Sequence, residues 1–454
     1  MTTEKPSIGF IGLGAMGFGM AANLVKEGYA VRGFDISKEI LKKFVAVGGT
    51  AATSPANAVE NRSICVCMVA TPQQAQTVLW DGEDPAVPTL PKKATLLLCS
   101  TVPCGYVQGL SKELADRGRG DIGLIDCPVS GGAIRAADGT LSIMAGASTE
   151  SLTNGQGVLQ AMSDPTKLYI VKGGLGAGSN MKMCHQVLAS NQILAASEAM
   201  GFASHLGLDL GETGDYVINS DAWSWMFQNR LPRILDPSQP LASAVTIILK
   251  DTSIITSEAR RAGFPCHMTS VAEQVYFTGL GRGWGPDDDS SLVRLYNEGA
   301  GKVGPVKGAV EEESAKLKLV ADLLRGIHLC AAAETFAFAN FLGLDLDQVY
   351  ELCVNAAGGS SLLTNVGQEM TRGLRHDIAL QDWFKNESAD DGLETVFGSL
   401  QKAVDEAQRL KVPVFLATQA LNLLRRALQS GRGTESRLAT GAVIRVWHQA
   451  GNGF

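Results

Sequence analysis

The chain has no apolar run long enough to cross a bilayer. Its first residues, MTTEKPSIGF, contain neither the apolar core of a secretory signal nor the Arg-rich pattern of a transit peptide. A cytoplasmic protein is the expectation. Basic charge is not in excess either: 39 Lys and Arg against 46 Asp and Glu leave a net charge of −7, so neither a nucleic acid nor a membrane surface is an expected partner. Cysteine is scarce and scattered. None of the nine falls at zinc-finger spacing, and the close pair Cys65 and Cys67 lies in an apolar strand-like run, so reduced core thiols are expected. No metal-ligand cluster stands out, which makes metal-free proton chemistry the expectation. What the chain does have is length: 454 residues exceed one hydrophobic core, and two or three domains are predicted.

The first of these reads as α/β. Ser7–Ile11 predicts a buried strand, Phe18–Glu27 a helix ending at Gly28, and Tyr29–Phe34 a second strand closed by Asp35. Between the first strand and the helix stands Gly12-Leu13-Gly14-Ala15-Met16-Gly17, a dinucleotide-binding fingerprint in its required context. Gly12 allows the tight turn, Gly14 the approach of a pyrophosphate, and Gly17 close helix–strand packing. Asp35 can accept both ribose hydroxyls of NAD and would repel a 2′-phosphate, and no arginine follows it. Further strands are predicted at Ser63–Val69, Thr95–Leu98 and Ile122–Asp126. Thr101, just beyond the third of these five strands' successors, is a candidate cofactor contact or a helix N-cap. The Ser130-Gly131-Gly132 turn offers a hydroxyl and unshielded N–H groups to a carboxylate.

A glycine-rich turn at Gly173–Gly178 then opens a long helix, with Ser179 as its expected N-cap. Lys182 would fall in the first turn, and His185 and Gln186 stand three and four positions on, over the same face. The positive end of the helix dipole and burial would both move this lysine toward neutrality, as proton transfer with a substrate hydroxyl requires. Imidazole and carboxamide together offer donors and acceptors to a polyol acid.

The fingerprint, the run DCPVSGGAIRAADGTLSIMAG (Asp126 to Gly146) and the GAGSNMK helix together resemble the β-hydroxyacid dehydrogenases, the 3-hydroxyisobutyrate dehydrogenase family. That resemblance implies Lys182 as catalytic acid/base and Ser130, Gly131 and Gly132 around the substrate carboxylate. It also implies that Lys250, in the pair Lys250-Asp251, closes over nicotinamide and substrate. The Lys-x-x-His-Gln version, with SWMFQNRLP at Ser224–Pro232, is most similar to the L-threonate and four-carbon sugar-acid dehydrogenases of the family.

The rest of the chain repeats itself. From 182 to 210, 12 of 29 positions are identical to those 136 residues later, including Lys182/Lys318, Glu198/Glu334 and Leu206–Leu210/Leu342–Leu346. After an insertion near Gln381–Gly392 the match resumes with Glu258/Glu406 and Pro265/Pro413. The copy lacks the chemistry: His185 and Gln186 become Ala321 and Asp322, Lys250-Asp251 becomes Gly398-Ser399, and Lys318 is expected only to pair with Asp322. The predicted architecture is a doubly wound, mostly parallel Rossmann domain (1–171) followed by two tandem all-α domains like that of 6-phosphogluconate dehydrogenase (172–303 and 304–454). The second is expected to replace a partner subunit about a pseudo-two-fold axis, giving a pseudo-dimer within one chain, itself a monomer or homodimer. The helix carrying Leu317, Val320, Leu324, Ile327 and Cys330 is expected to bury one apolar face.

The predicted activity is NAD-dependent hydride transfer to or from a small hydroxy acid. Two other readings compete: an oxidative decarboxylase like 6-phosphogluconate dehydrogenase, and a non-catalytic nucleotide-binding regulator. Asp35 disfavours the first through its preference for NADP, and no basic cluster for a sugar phosphate can be assigned. The intact set of Lys182, Ser130 and Lys250 disfavours the second.

Overall fold

The computed structural model describes residues 5–297, 310–375, 392–430 and 438–448. They form two compact units, Met1–Lys182 and Met183–Phe454. The expected boundary at 303/304 and most of the expected insertion near Gln381–Gly392 lie outside the described residues.

In the first unit, nine strands form one sheet: β1 (Ile8–Ile11), β2 (Val31–Phe34), β3 (Thr50–Ala51), β4 (Ile64–Cys67), β5 (Thr95–Leu98), β6 (Gly123–Asp126), β7 (Val129–Ser130), β8 (Leu141–Ala147) and β9 (Ser163–Ile170). Their order is β3-β2-β1-β4-β5-β6-β8-β7, with β9 beside β8. From β3 to β6 every pairing is parallel; β8 runs antiparallel to β6 and β7. β1, β4 and β5 are buried at every position, as strands covered by helices on both faces must be. The order reverses between β1 and β4, so the ligand crevice of such a sheet lies at the carboxyl ends of those strands. The helix α1 (Gly17–Lys26) follows β1 and stops at Gly28, whose φ of +82° few side-chain-bearing residues adopt.

The second unit is helical. Its principal helices are α2 (Ala177–His205, whose first six residues belong to the first unit), α3 (Trp225–Leu235), α4 (Val245–Ala262), α5 (His267–Gly281), α6 (Val310–Phe341), α7 (Ser361–Arg375), α8 (Leu393–Leu410) and α9 (Phe415–Ser430). No described helix is long and apolar enough to cross a membrane. α6 packs on α7, α8 and α9, and α5 packs on α9. The expected single apolar stripe of α6 is a correction: from Val320 to Ala339 every residue except Arg325 is buried, so the helix is wrapped on all sides.

Several hydrogen bonds in this unit come in matched pairs. Trp225 N–H donates to Gly359 O at 2.8 Å, and Ser361 N–H donates to Trp223 O at 3.1 Å, around an antiparallel bridge between Ser224 and Ser360. Glu198 accepts from Leu416 and Ala417 N–H, 3.0 and 2.9 Å, in the first turn of α9. Glu334 accepts from Met268 and Thr269 N–H, 2.7 and 2.9 Å, in the first turn of α5. Each carboxylate thus satisfies donors that a helix start leaves open.

Burial raises the carboxyl pKa of Glu198 to about 7 and that of Asp126, at the end of β6, to about 6; it raises that of Glu334 as well. A folded-state pKa above the unfolded value adds stability that is complete below about pH 4 and is lost as pH rises through 6 to 7. The denaturation midpoint is therefore expected to be higher at pH 5 than at pH 8, the groups contributing a few kcal/mol between them. A midpoint that rises from pH 5 to pH 8 would contradict this.

Candidate active site

The three fingerprint glycines meet their separate demands. At Gly12, φ is +92° and a Cβ would lie 2.2 Å from Met68 O; at Gly17 it would lie 2.0 Å from Gly12 O. At Gly14 nothing stands within 4 Å, the open space that a pyrophosphate approaching the backbone needs. Leu13 is fully buried, and Met16 is the residue before α1. Asp35, at the end of β2, accepts Leu13 N–H and Ser37 N–H, each at 2.8 Å. This ties the glycine turn to the acid, and a carboxylate retains lone pairs for a ribose hydroxyl. These features fit a dinucleotide.

Thr101 follows β5, as expected, but its neighbour Ser100 holds the adjacent loop: its Oγ accepts Val69 N–H at 2.9 Å. Nothing in the sequence separated the two hydroxyls. Ser130 is buried on β7, and Gly131 and Gly132 have φ of +141° and +75°, conformations that L side chains disfavour.

The start of α2 differs from expectation. Ser179 is not the N-cap but lies inside the first turn, because the helix begins at Ala177. The open donors are met by Asp126, which accepts Ser179 N–H and Oγ–H, both at 2.7 Å, and the Gly176 N–H. A carboxylate on β6, 53 residues earlier, does the work assigned to a local serine. Lys182 is consequently the sixth helical residue, in the second turn, where the dipole field is already weaker than in the first. It is buried, with 5% of its surface exposed, whereas Lys318 is 59% exposed at its side chain and paired with Asp322 at 2.6 Å.

His185 and Gln186 follow Lys182 on α2 at the expected spacings, both buried. In the second unit Gln186 Nε2 donates to Asp251 Oδ2 at 2.6 Å, His185 Nδ1 lies 3.0 Å from Gln186 Oε1, and Lys250 Nζ lies 2.9 Å from Asp251 Oδ1. The structure thus joins Lys250, Asp251, Gln186 and His185 into one chain of contacts. Sequence spacing had not linked α4 to α2 in this way.

Comparison with known proteins agrees with these features. Residues 7–173 match the family described as the NAD-binding domain of 6-phosphogluconate dehydrogenase. Residues 176–296 and 313–446 each match the family described as NAD-binding of NADP-dependent 3-hydroxyisobutyrate dehydrogenase. L-threonate dehydrogenase of Cupriavidus necator is 35% identical over 290 residues, 64% of this chain and 96% of that protein. A crystal structure of 3-hydroxyisobutyrate dehydrogenase from Salmonella typhimurium is 30% identical with a TM-score of 0.60, covering 64% of this chain and all of that one. The Plasmodium falciparum 6-phosphogluconate dehydrogenase has the same fold over 94% of both chains, with a TM-score of 0.68 at 16% identity. The chain belongs to the β-hydroxyacid dehydrogenase family, enzymes that act on CH–OH groups with a nicotinamide cofactor.

Proposed function

We propose that this enzyme transfers hydride between NAD and a four-carbon sugar acid such as L-threonate. The observation that carries the reading is the 35% identity to an L-threonate dehydrogenase over 96% of that protein's length. The buried polar pair His185 and Gln186 supports it, since these side chains suit a hydroxylated substrate better than an aliphatic one. When bound, the nicotinamide supplies the hydride acceptor or donor. Lys182 accepts the proton from the substrate hydroxyl in the oxidative direction and returns it in the reductive one. Ser130, Gly131 and Gly132 hold the substrate carboxylate, Thr101 contacts the cofactor, and Lys250 bears on cofactor and substrate.

Asp35 makes NAD the preferred cofactor, because a 2′-phosphate beside a carboxylate meets charge repulsion. A screen of hydroxy acids, phosphorylated and not, followed by nicotinamide absorbance with NAD and NADP in parallel, tests substrate and cofactor together. Turnover of L-threonate with a higher kcat/KM for NAD is expected. Equal or better NADP use would overturn the cofactor assignment, and turnover confined to a sugar phosphate with release of carbon dioxide would favour the decarboxylase reading.

We further propose that residues 304–454 are a duplicate of residues 172–303 that stands in for a partner subunit. Two kinds of observation support this: the same family model matches twice, and the matched hydrogen bonds exchange partners under the sequence offset. Trp225/Ser361 and Trp223/Gly359 differ by 136, and Met268/Leu416 and Thr269/Ala417 by 148. A residue bridged antiparallel to its own copy, as Ser224 is to Ser360, lies on a local two-fold axis.

A further inference from the structure

We propose that Asp251, acting through Gln186, fixes the proton of His185 on Nδ1 and so makes His185 Nε2 an acceptor that selects a substrate hydroxyl. The inference rests on the hydroxy-acid reading above.

The argument runs along one line of contacts. Lys250 Nζ and Asp251 Oδ1 form an ion pair at 2.9 Å, and an ionised carboxylate can only accept. Whichever end of the Gln186 amide meets Asp251 Oδ2 at 2.6 Å must therefore be the NH₂. The amide oxygen is then turned to His185 Nδ1, 3.0 Å away. A carbonyl oxygen also only accepts, so Nδ1 carries the proton. In the neutral imidazole Nε2 is left with a lone pair. His185, Gln186 and Asp251 are 1%, 8% and 6% exposed, so bulk water does not compete for these positions.

An acceptor at this place favours a substrate that brings a hydroxyl donor and disfavours one that brings only C–H. A site built to bond a hydroxyl discriminates against the analogue lacking it because its own buried polar group is left unpaired. Asp251 and Gln186 act here as positioning residues. The second copy, with Ala321, Asp322 and Gly398-Ser399 at the corresponding places, has no counterpart of the relay.

The test is the tautomer itself. In ¹⁵N NMR spectra of the full-length protein, the His185 signal is identified among those of the six histidines by its loss in His185→Gln. The wild type is expected to show Nδ1–H. Asp251→Asn can turn an NH₂ toward Gln186, which lets that amide reverse, and the ring is expected to shift to Nε2–H. In the same variant the preference in kcat/KM for L-threonate over a deoxy analogue lacking the hydroxyl beside the oxidised carbon is expected to shrink roughly tenfold or more. A purely structural Asp251 would instead lower turnover of both substrates alike and leave the tautomer unchanged. An Nε2–H wild type, or an Asp251→Asn tautomer identical to wild type, overturns the proposal. The wild-type spectrum decides even if the variant does not fold. Failure to oxidise L-threonate would sink the substrate reading alone, because the tautomer is read without substrate.

Discussion

Replacing Lys182 by alanine is expected to lower kcat by roughly 10²–10⁴ while leaving the affinity for NAD nearly unchanged. Hydride cannot leave an alcohol carbon productively unless the hydroxyl proton is taken at the same time, and no other amine belongs to this helix face. Lys182 stands one turn before His185 and Gln186 and is buried, with 5% of its surface exposed. The cofactor fingerprint is built from other residues, Gly12 to Gly17 and Asp35, so binding and chemistry should separate in the measurement. Lys318 is the control. It occupies the corresponding place in the second copy, but its ammonium is paired with Asp322, and Arg325 links that aspartate side to Asp221. Lys318→Ala is expected to retain wild-type turnover. A Lys182→Ala enzyme that kept most of its activity, or a Lys318→Ala enzyme that lost it, would move the chemistry to a different group.

The parts of the fold that were readable from the sequence are those governed by local rules. Thr95–Leu98 is a strand as expected, and Ile8–Ile11 lies within its expected range, because each is an uninterrupted apolar run in a sheet covered on both faces. Tyr29–Phe34 was expected two residues longer than the strand Val31–Phe34, since Gly28 and Tyr29 still belong to the turn after α1. β9 went unseen: Asp-Pro-Thr-Lys reads as a turn, and only pairing to β8 makes it a strand. The same division holds at the site. The glycines and Asp35 could be placed from spacing because their partners are close in sequence. Asp126 as the cap of α2, and Asp251 as the partner of Gln186, act over 53 and 65 residues, and no periodicity reports contacts at that range. The nearer serine was the reasonable choice for the cap, and the sheet supplied a better one.

A chain cut near Gly304 is expected to aggregate or to become an obligate oligomer by light scattering, for a reason more specific than a lost apolar cover. Within the full chain Glu198 accepts Leu416 and Ala417 N–H, while Met268 and Thr269 N–H are met by Glu334. The cut removes Leu416, Ala417 and Glu334 together. It leaves a buried carboxylate without donors and a helix start without an acceptor, a loss of roughly several kcal/mol, alongside the apolar surface that α6 had covered. Two cut chains can repair this in one way. Glu198 of each copy would face Met268 and Thr269 of the other, which is the relation the second copy reproduces by the 148-residue offset. The cut protein should therefore form a two-fold dimer rather than an indefinite aggregate wherever it stays soluble, and Glu198→Ala in that background should abolish the dimer. The same substitution in the full chain should lower stability without changing the assembly state, because the duplicate is tethered at high local concentration. A cut chain that is monomeric, soluble and fully active would show that the second copy does not replace a subunit. A dimer indifferent to Glu198→Ala would show that the carboxylates do not hold the two halves together.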